Sequence, residues 1–176
     1  MSATEDAALD LDALNAMARE DFVRVLGPTF ENAPWVAAAA WSARPFASVE
    51  QLHACMLDVV RHAPLERQTE FLCGHPELAG REAQAGTMTS ESTQEQGSAG
   101  LDALRADELR EMQQLNRRYR ERHGFPFIIA VRHHTRPQIF EAMRMRTEAD
   151  TDAERGAAIE QIGRITRARI GALLAG

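Results

Sequence analysis

The sequence predicts an all-α fold, a single-domain bundle of about eight helices over residues 1–176 with no significant sheet. Apolar residues recur at helical spacing through most of the chain, which is the pattern of amphipathic helices. Glycines and prolines separate these segments, at positions that end or begin helices. The short run 124–131 has the apolar density of a strand, but one isolated strand has no sheet to join.

Four helices are predicted in the first part of the chain, and their limits follow from proline, glycine and capping residues. Gly27 and Pro28 end the first helix, and Ser48 and Gln51 have the spacing of a capping box at the start of the third. The second helix, which begins at a proline, is almost wholly apolar, so we expect it to be buried on several sides. The four predicted helices cover residues 12–26, 34–41, 48–60 and 65–72.

The limits of the remaining helices have weaker sequence signals. Pro76 suits a first helical turn and predicts a two-turn helix to about Ala85. Residues 86–100 have the composition of a linker, but apolar spacing continues beyond them to Gly124, so we expect them to begin a long helix. The run 124–131 is either a buried strand-like segment or a first helical turn. The last two helices begin at Pro137 and after a polar break at residues 147–152.

Composition limits the classes of function. The 20 basic and 26 acidic side chains give a formal net charge of −6, which argues against a general nucleic-acid-binding protein. The arginines at positions 117, 118, 120 and 122 therefore indicate a solvated helix face. Two cysteines without a CxxC pair favour a reducing compartment, and no apolar stretch has the length of a membrane span. We expect a cytoplasmic protein whose acidic residues 1–12 are a flexible extension.

His75 lies between Gly74 and Pro76, at a joint between two predicted helices. Joints of this kind often carry chemistry, although an isolated histidine is commonly a structural or surface residue. At the start of the helix predicted from Pro76, the helix dipole would oppose imidazolium formation. A protonated His75 would therefore need a nearby carboxylate, and Glu95 is the candidate.

A second polar group follows at residues 92–96. Ser92 and Glu95 have the spacing of a capping box, which is a structural role. The same helix N-terminus would also offer N–H groups to an anion, together with the Ser92 hydroxyl, the Glu95 carboxylate and the Gln96 amide. The spacing leaves both interpretations open.

The other arginines and histidines indicate anion-binding or metal sites only weakly. Arg132, Arg136 and Arg169 could each bind a carboxylate through two hydrogen bonds, and their spacing selects none of them. His133 and His134 do not form an HxxxH pair, and the cysteines lack ligand spacing, so we predict no metal site. The sequence also lacks the Walker loop, the nucleophile elbow and the dinucleotide fingerprint.

Several motifs together resemble a known family, the 2-oxo-4-hydroxy-4-carboxy-5-ureidoimidazoline (OHCU) decarboxylases of urate degradation. The resemblance extends from Phe22 to about Leu173. The motifs that carry it are FENAPWVA at 30–37, RPF at 44–46, HPELA at 75–79, SxxEQ at 92–96, LNxxY at 115–119 and GFPF at 124–127. Two positions depart from the family pattern: Met88 stands where a leucine is expected, and His123 replaces a phenylalanine and adds an ionisable group.

The resemblance implies an all-helical homodimer that converts OHCU to (S)-allantoin without a metal or organic cofactor. It makes His75 the proton donor, with Glu95 orienting the substrate and the histidine. The implied substrate-binding residues are Pro76, Ser92, Thr93, Gln94, Glu95, Gln96, Phe127, Ile128, Ile129, Ala130, Val131 and Arg169. Two alternatives remain: a non-enzymatic helical ligand-binding or interaction module, and a decarboxylase of a related ureido or imidazole carboxylate.

Overall fold

The computed structural model describes residues 9–176, and within that range it contains ten α-helices and no β-strand. The helices are α1 Leu11–Ala16, α2 Arg19–Leu26, α3 Pro34–Ala40, α4 Val49–Arg61, α5 Leu65–Cys73, α6 Arg81–Ala85, α7 Ser90–Ser98, α8 Ala106–His123, α9 Arg136–Thr147 and α10 Thr151–Leu174. Short 3₁₀ turns cover Gly27–Thr29, Trp41–Ala43 and Val131–His133. The all-α prediction is confirmed, and eight of the ten helices have seven or more residues.

The first predicted helix is wrong in one respect, because it is divided into α1 and α2. Met17 and Ala18 between them have extended backbone angles. The Met17 carbonyl accepts hydrogen bonds from the Trp41 indole at 3.1 Å and from the Arg44 guanidinium at 2.9 Å. Side chains from more than twenty residues away thus replace helical hydrogen bonds at this point. Of the predicted flexible extension, residues 1–8 lie outside the described range, and α1 begins at Leu11.

The chain forms two compact units. One contains the chain up to His62 together with Thr166–Gly176, and the other contains Ala63–Ile165. In the first unit α3 packs against α2 and α4. Its buried apolar side chains include Leu14, Phe22, Leu26, Phe30, Val36, Leu52, Met56, Val60 and Ile170. The predicted single domain over 1–176 remains a prediction.

In the second unit α8 packs against α9, and α7 packs against the 3₁₀ turn at Val131–His133. Its buried apolar side chains include Phe71, Leu72, Met112, Tyr119, Phe125, Phe127, Ile139, Met143, Ile159 and Ile162. Residues 86–100 are not a linker, since most of them form α7. They do not begin a long helix either, because Gly100 has a left-handed φ of 72° and α8 starts separately at Ala106.

The run after Gly124 resolves the alternatives that the sequence left open. Gly124 ends α8 with a φ of 80°, and residues 126–130 then have no regular secondary structure before the turn at Val131–His133. The segment 127–131 is buried throughout, so it corresponds to the buried strand-like alternative without a neighbouring strand. Across residues 9–176, no helix combines the length and apolarity needed to cross a membrane.

Candidate active site

His75 follows directly on the end of α5, in the second unit. Gly74 caps this helix, and the His75 side chain is buried, with 7% of its surface exposed. Its Nδ1 lies 3.2 Å from the carbonyl oxygen of Phe71, one turn back, and its ring contacts the Phe71 ring edge to face. Because a carbonyl can only accept a hydrogen bond, Nδ1 carries hydrogen. A proton that the ring exchanges is therefore carried by Nε2.

The helix predicted from Pro76 is absent from this stretch, so that prediction is wrong. Residues 77–80 form a turn in which Gly80 donates to the Glu77 carbonyl at 3.3 Å, and Ala79 has a left-handed φ of 47°. The next helix, α6, begins only at Arg81. His75 therefore lies beyond a helix C-terminus rather than at an N-terminus. The carbonyl end of a helix favours a cation, so the α5 dipole assists a protonated His75 instead of opposing it.

Gln96 of α7 fixes the turn that follows His75. Its Oε1 accepts from the Ala79 N–H at 2.9 Å, and its Nε2 donates to the Glu77 carbonyl at 3.3 Å. The side chain is buried, so these bonds satisfy backbone groups that a helix would otherwise have satisfied. Both ends of the Gln96 amide are thus engaged by the turn, which gives this predicted substrate ligand a structural role.

Helix α8 supports the same turn with two side chains one helical turn apart. Asn116 donates to the Leu78 carbonyl at 2.9 Å, and Arg120 donates to the Glu77 carboxylate at 2.7 Å. Asn116 is buried, and its Oδ1 has no hydrogen-bond partner within residues 9–176. The backbone after His75 is therefore fixed from α7 and α8 together.

The capping-box interpretation of Ser92 is wrong, because the N-cap of α7 lies three residues earlier. Thr89 is the N-cap, and its hydroxyl accepts from the Ser92 N–H at 3.3 Å. Ser92 is instead in the first turn of the helix, where its side chain is buried. Since residues three and four apart share a helix face, Ser92, Glu95 and Gln96 lie on one side of α7.

The two residues between Ser92 and Glu95 lie on the exposed side of α7. Thr93 and Gln94 are exposed, and the Thr93 hydroxyl donates to the Thr89 carbonyl at 2.8 Å. Glu95 is half-buried. Of the predicted ligands on α7, the structure therefore groups Ser92, Glu95 and Gln96 on the inner face and places Thr93 and Gln94 outside it.

The segment 127–131 is irregular, yet side chains of α9 and α10 fix its backbone. Arg146 donates to the Ile128 carbonyl at 2.9 Å, and Gln161 accepts from the Ala130 N–H at 3.1 Å. Between these two points, no hydrogen bond to the Ile129 N–H or carbonyl is present within the described range. Because buried backbone groups are almost always paired, Ile129 offers a donor and an acceptor suited to a small polar ligand.

A buried polar network beside this segment was missed at the sequence level. Glu154 accepts from the Tyr119 hydroxyl and from Arg146 Nε, each at 2.6 Å. The Tyr119 ring packs edge to face against Phe127, and the Arg146 guanidinium lies 4.4 Å from the centre of the Phe127 ring. Burial, followed by the hydrogen bond and charge of Glu154, raises the pKa of Tyr119 far above its ordinary value. Of the three residues in this network, only Tyr119 belongs to a motif recognised in the sequence, LNxxY at 115–119.

Arg169 lies in the first unit, near the end of α10. It forms an ion pair with Glu31 at 2.8 Å, and both side chains are buried. The other arginines considered as carboxylate anchors are placed differently: Arg132 is exposed, and Arg136 pairs with Glu108 at 3.4 Å. Arg169 is therefore the most buried of the three candidates, and its contact with a substrate remains a prediction.

The histidines outside position 75 have structural contacts or are exposed. His123 Nε2 lies 3.0 Å from the Arg146 carbonyl and its Nδ1 lies 2.9 Å from the Thr151 hydroxyl, so both ring nitrogens are engaged within the fold. His134 Nδ1 lies 3.0 Å from the Ala130 carbonyl, and His133 is exposed. In the part of the chain that the structure describes, no three histidine, cysteine or acidic side chains group as a metal site would require.

The chain is similar to known proteins in both sequence and structure. The family model described as OHCU decarboxylase matches residues 15–171. The chain is 38% identical over 166 residues to the 2-oxo-4-hydroxy-4-carboxy-5-ureidoimidazoline decarboxylase of Mus musculus, covering 94% of this chain and 93% of that protein. It is 37% identical over 162 residues to the protein of the same name from Halalkalicoccus jeotgali, covering 92% and 90%.

Two solved structures have a similar fold. The crystal structure of (S)-allantoin synthase superposes with a TM-score of 0.76 at 25% identity, covering 94% of this chain and 54% of that one. The crystal structure of OHCU decarboxylase in the presence of (S)-allantoin superposes with a TM-score of 0.64 at 21% identity, covering 81% and 92%. The second likeness concerns the fold alone.

Proposed function

The chain belongs to the OHCU decarboxylase family, and from this premise we propose that it decarboxylates OHCU and protonates the product on one face to give (S)-allantoin. The observation that carries the proposal is the buried His75, whose Nδ1 is fixed on the Phe71 carbonyl at the C-terminal end of α5. The ring is thereby oriented, and the helix end favours its protonated form. A fixed imidazolium can deliver its proton from one side, as a stereospecific protonation requires.

The substrate itself supplies most of the electronic requirement. When the bond to the carboxylate breaks, carbon dioxide leaves and the electron pair moves into the adjacent ring C=N group, which is conjugated with the ring C=O, so that an enol forms across the two ring carbons after the nitrogen takes a proton from solvent. These groups accept the charge, so the reaction as proposed needs no metal or organic cofactor. The ureido-bearing carbon of this enol then takes one proton, the hydroxyl-bearing carbon loses its hydroxyl proton and becomes the carbonyl of allantoin, and solvent later returns a proton to the donor. The protein must therefore orient the carboxylate out of the ring plane and deliver the proton from one side.

His75 and Glu95 divide these tasks in the proposed mechanism. Nε2 of His75 donates the proton, because Nδ1 is occupied by the Phe71 carbonyl. The Glu95 carboxylate stabilises the imidazolium and orients the substrate. A positioned proton donor contributes about 10² to 10⁴ in rate, so preorganised hydrogen bonds must supply the rest.

The substrate-binding wall proposed here combines the backbone of Phe127–Val131 with Pro76, Ser92 and Glu95. Support comes from the packing of α7 against the turn at Val131–His133 and from the Ile129 backbone groups, which lack hydrogen-bond partners within the described range. An N–H and a carbonyl of one residue match the donor and acceptor of a cyclic ureide. Arg169 is proposed, from the resemblance to the family, to bind an anionic group of the substrate.

The assembly and the compartment are also proposals. We expect a homodimer, because the resemblance to the family implies one, and a cytoplasmic location. Sedimentation equilibrium should give twice the 19.5 kDa mass of the chain. A mass of one chain at the working concentration would contradict the dimer.

The activity is tested by circular dichroism in the allantoin bands, with freshly generated OHCU and chelator-treated protein. Spontaneous decay gives racemic allantoin without a lasting signal, whereas the proposed enzyme should give a rapid, enantioselective one. Decay no faster than the blank would contradict the proposal and favour a ligand-binding module. Turnover of analogues that lack the ureido arm at the same rate as OHCU would favour a decarboxylase of another imidazole carboxylate.

The role of His75 is tested with His75→Asn. An asparagine amide can replace Nδ1 at the Phe71 carbonyl but cannot donate and regain a proton, so we expect kcat to fall by about 10² or more with little change in Tm. His62→Asn is the matched control, because His62 Nδ1 makes the same contact with the carbonyl four residues back, at 2.8 Å, on an exposed residue. A near wild-type rate for His75→Asn would show that another group donates the proton.

A further inference from the structure

We propose that Arg146 and Gln161 are positioning residues for the reaction, because they orient the two peptide units on either side of Ile129. This inference rests on the proposed function, in which the segment 127–131 forms a wall of the substrate site. The observation is that the two groups flanking Ile129, the Ile128 carbonyl and the Ala130 N–H, are each bound by a half-buried side chain, Arg146 from α9 and Gln161 from α10.

These two contacts determine the directions in which the Ile129 N–H and carbonyl point. A trans peptide unit is planar, and its N–H points opposite to its carbonyl. Arg146 binds the Ile128 carbonyl, so the Ile129 N–H of the same unit points away from Arg146. Gln161 binds the Ala130 N–H, so the Ile129 carbonyl points away from Gln161. The donor and the acceptor proposed to bind substrate are therefore set by side chains that do not touch it.

Arg146 makes contacts that a lysine could not reproduce. Its Nε donates to Glu154 at 2.6 Å, its Nη1 donates to the Ile128 carbonyl at 2.9 Å, and its planar face covers the Phe127 ring. A guanidinium presents donors in a rigid fork, whereas an ammonium is a single point charge. Arg146 thus binds two consecutive residues of the segment while it remains paired with Glu154.

Glu154 fixes the guanidinium in turn. The carboxylate is 2% exposed and also accepts from the hydroxyl of Tyr119, whose ring packs edge to face against Phe127. Burying an ion pair costs desolvation free energy, and well-packed apolar side chains often give equal or greater stability. The arrangement is therefore better explained by the orientation that it imposes on Phe127 and Ile128 than by stability alone.

Arg146→Lys tests the proposal, because it keeps the charge beside Glu154 and removes the fork. We expect kcat/KM for OHCU to fall about tenfold to a hundredfold, chiefly through KM, since misplacement of a binding group by about 1 Å has effects of this size. Amide hydrogen exchange at Ala130 should become at least about tenfold faster. Arg144→Lys is the matched control, since Arg144 lies on the same helix and pairs with Glu111 at an exposed position. It should leave both measurements unchanged.

Gln161 provides a second test that does not disturb the ion pair. Gln161→Leu removes the acceptor for the Ala130 N–H and should raise KM and the Ala130 exchange rate, whereas Gln161→Glu keeps an acceptor oxygen and should restore most of the wild-type behaviour. Faster exchange with wild-type KM in both Arg146→Lys and Gln161→Leu would show a purely structural role and overturn the proposal. Failure of the wild-type protein to decarboxylate OHCU would instead reject the proposed function, so the two failures are distinguishable.

Discussion

Tyr119 is the one tyrosine of the chain, and its hydroxyl is bonded to a buried carboxylate. Burial and Glu154 raise its pKa far above the ordinary value of 10.0. The unfolded chain loses the tyrosine proton near the ordinary pKa, while the folded chain keeps it. The contribution of this group to stability is therefore complete below about pH 10 and is lost as the pH rises further.

Two measurements follow from the position of Tyr119. Absorbance at 295 nm should show no tyrosinate above pH 10 until the protein unfolds, and the free energy of unfolding should decrease with pH in that range. Tyr119→Phe should remove most of this decrease and cost about 1–3 kcal/mol at neutral pH, because a buried carboxylate loses a donor. Tyrosinate formation in the native protein near pH 10 would show that the hydroxyl is not bound as described.

Substitution of Glu95 tests its proposed role in stabilising the His75 imidazolium and orienting the substrate. Glu95→Gln removes the charge at nearly constant shape, so we expect a larger fall in kcat than rise in KM if the carboxylate stabilises the imidazolium of His75. Glu121→Gln, on the exposed face of α8, is the control and should have no effect. An unchanged rate and pH profile for Glu95→Gln would remove Glu95 from the mechanism.

Among the elements, the turn at residues 77–80 is the one that directs the backbone away from His75. A Cβ at Gly80 would lie 2.6 Å from the Glu77 Cβ, which is closer than two non-bonded carbon atoms can approach. We expect Gly80→Ala to shift the turn, to lower the free energy of unfolding by about 1–3 kcal/mol and to reduce decarboxylation. Chemical denaturation and the allantoin assay measure the two effects.

Gly156→Ala is the matched control for that substitution. Gly156 is exposed inside α10, and a Cβ there would meet no atom within 4 Å. Alanine at an unobstructed helical position should increase stability by about 0.5–1 kcal/mol. If both substitutions changed stability equally, the close approach at Gly80 would not control the turn.

The same turn shows what the sequence could and could not predict. Helix limits set by local signals were predicted, including the start of α4 at Ser48, the start of α9 to within one residue of Pro137, and the ends of α5 and α8 at glycines. The helix from Pro76 was not correct, because Gln96 and Asn116 bind this backbone from 17 and 38 residues away. Local periodicity contains no information about such contacts.

The residues of the site also divide into those with a local sequence signal and those that only the fold reveals. Residue patterns alone made His75, Ser92, Glu95, Gln96 and Arg169 candidates, and the resemblance added the remaining predicted residues. Arg146 and Gln161 carry no local signal, since their spacing matches neither a motif nor a distinctive helix face. They became visible only when the fold placed them at the backbone of Ile128 and Ala130.

For the molecule as a whole, the predicted single domain depends on whether the two compact units unfold together. Helix α10 has 24 residues, of which 151–165 belong to one unit and 166–174 to the other. It contributes Ile159 and Ile162 to the buried side chains of the second unit and Ile170 to those of the first. Because helix formation is cooperative and depends on tertiary packing, loss of either unit should destabilise the helix that both share.

We therefore expect one cooperative unfolding transition. Both tryptophans, Trp35 and Trp41, lie in the first unit, and the indole of Trp41 donates to the Met17 carbonyl, so tryptophan fluorescence reports on that unit. Tyr119 lies in the second unit, and second-derivative absorbance of its ring reports there. The two signals should change at the same denaturant concentration and give the same free energy of unfolding, as a two-state transition requires. Separate midpoints would show that the units are independent domains and would contradict the single-domain prediction.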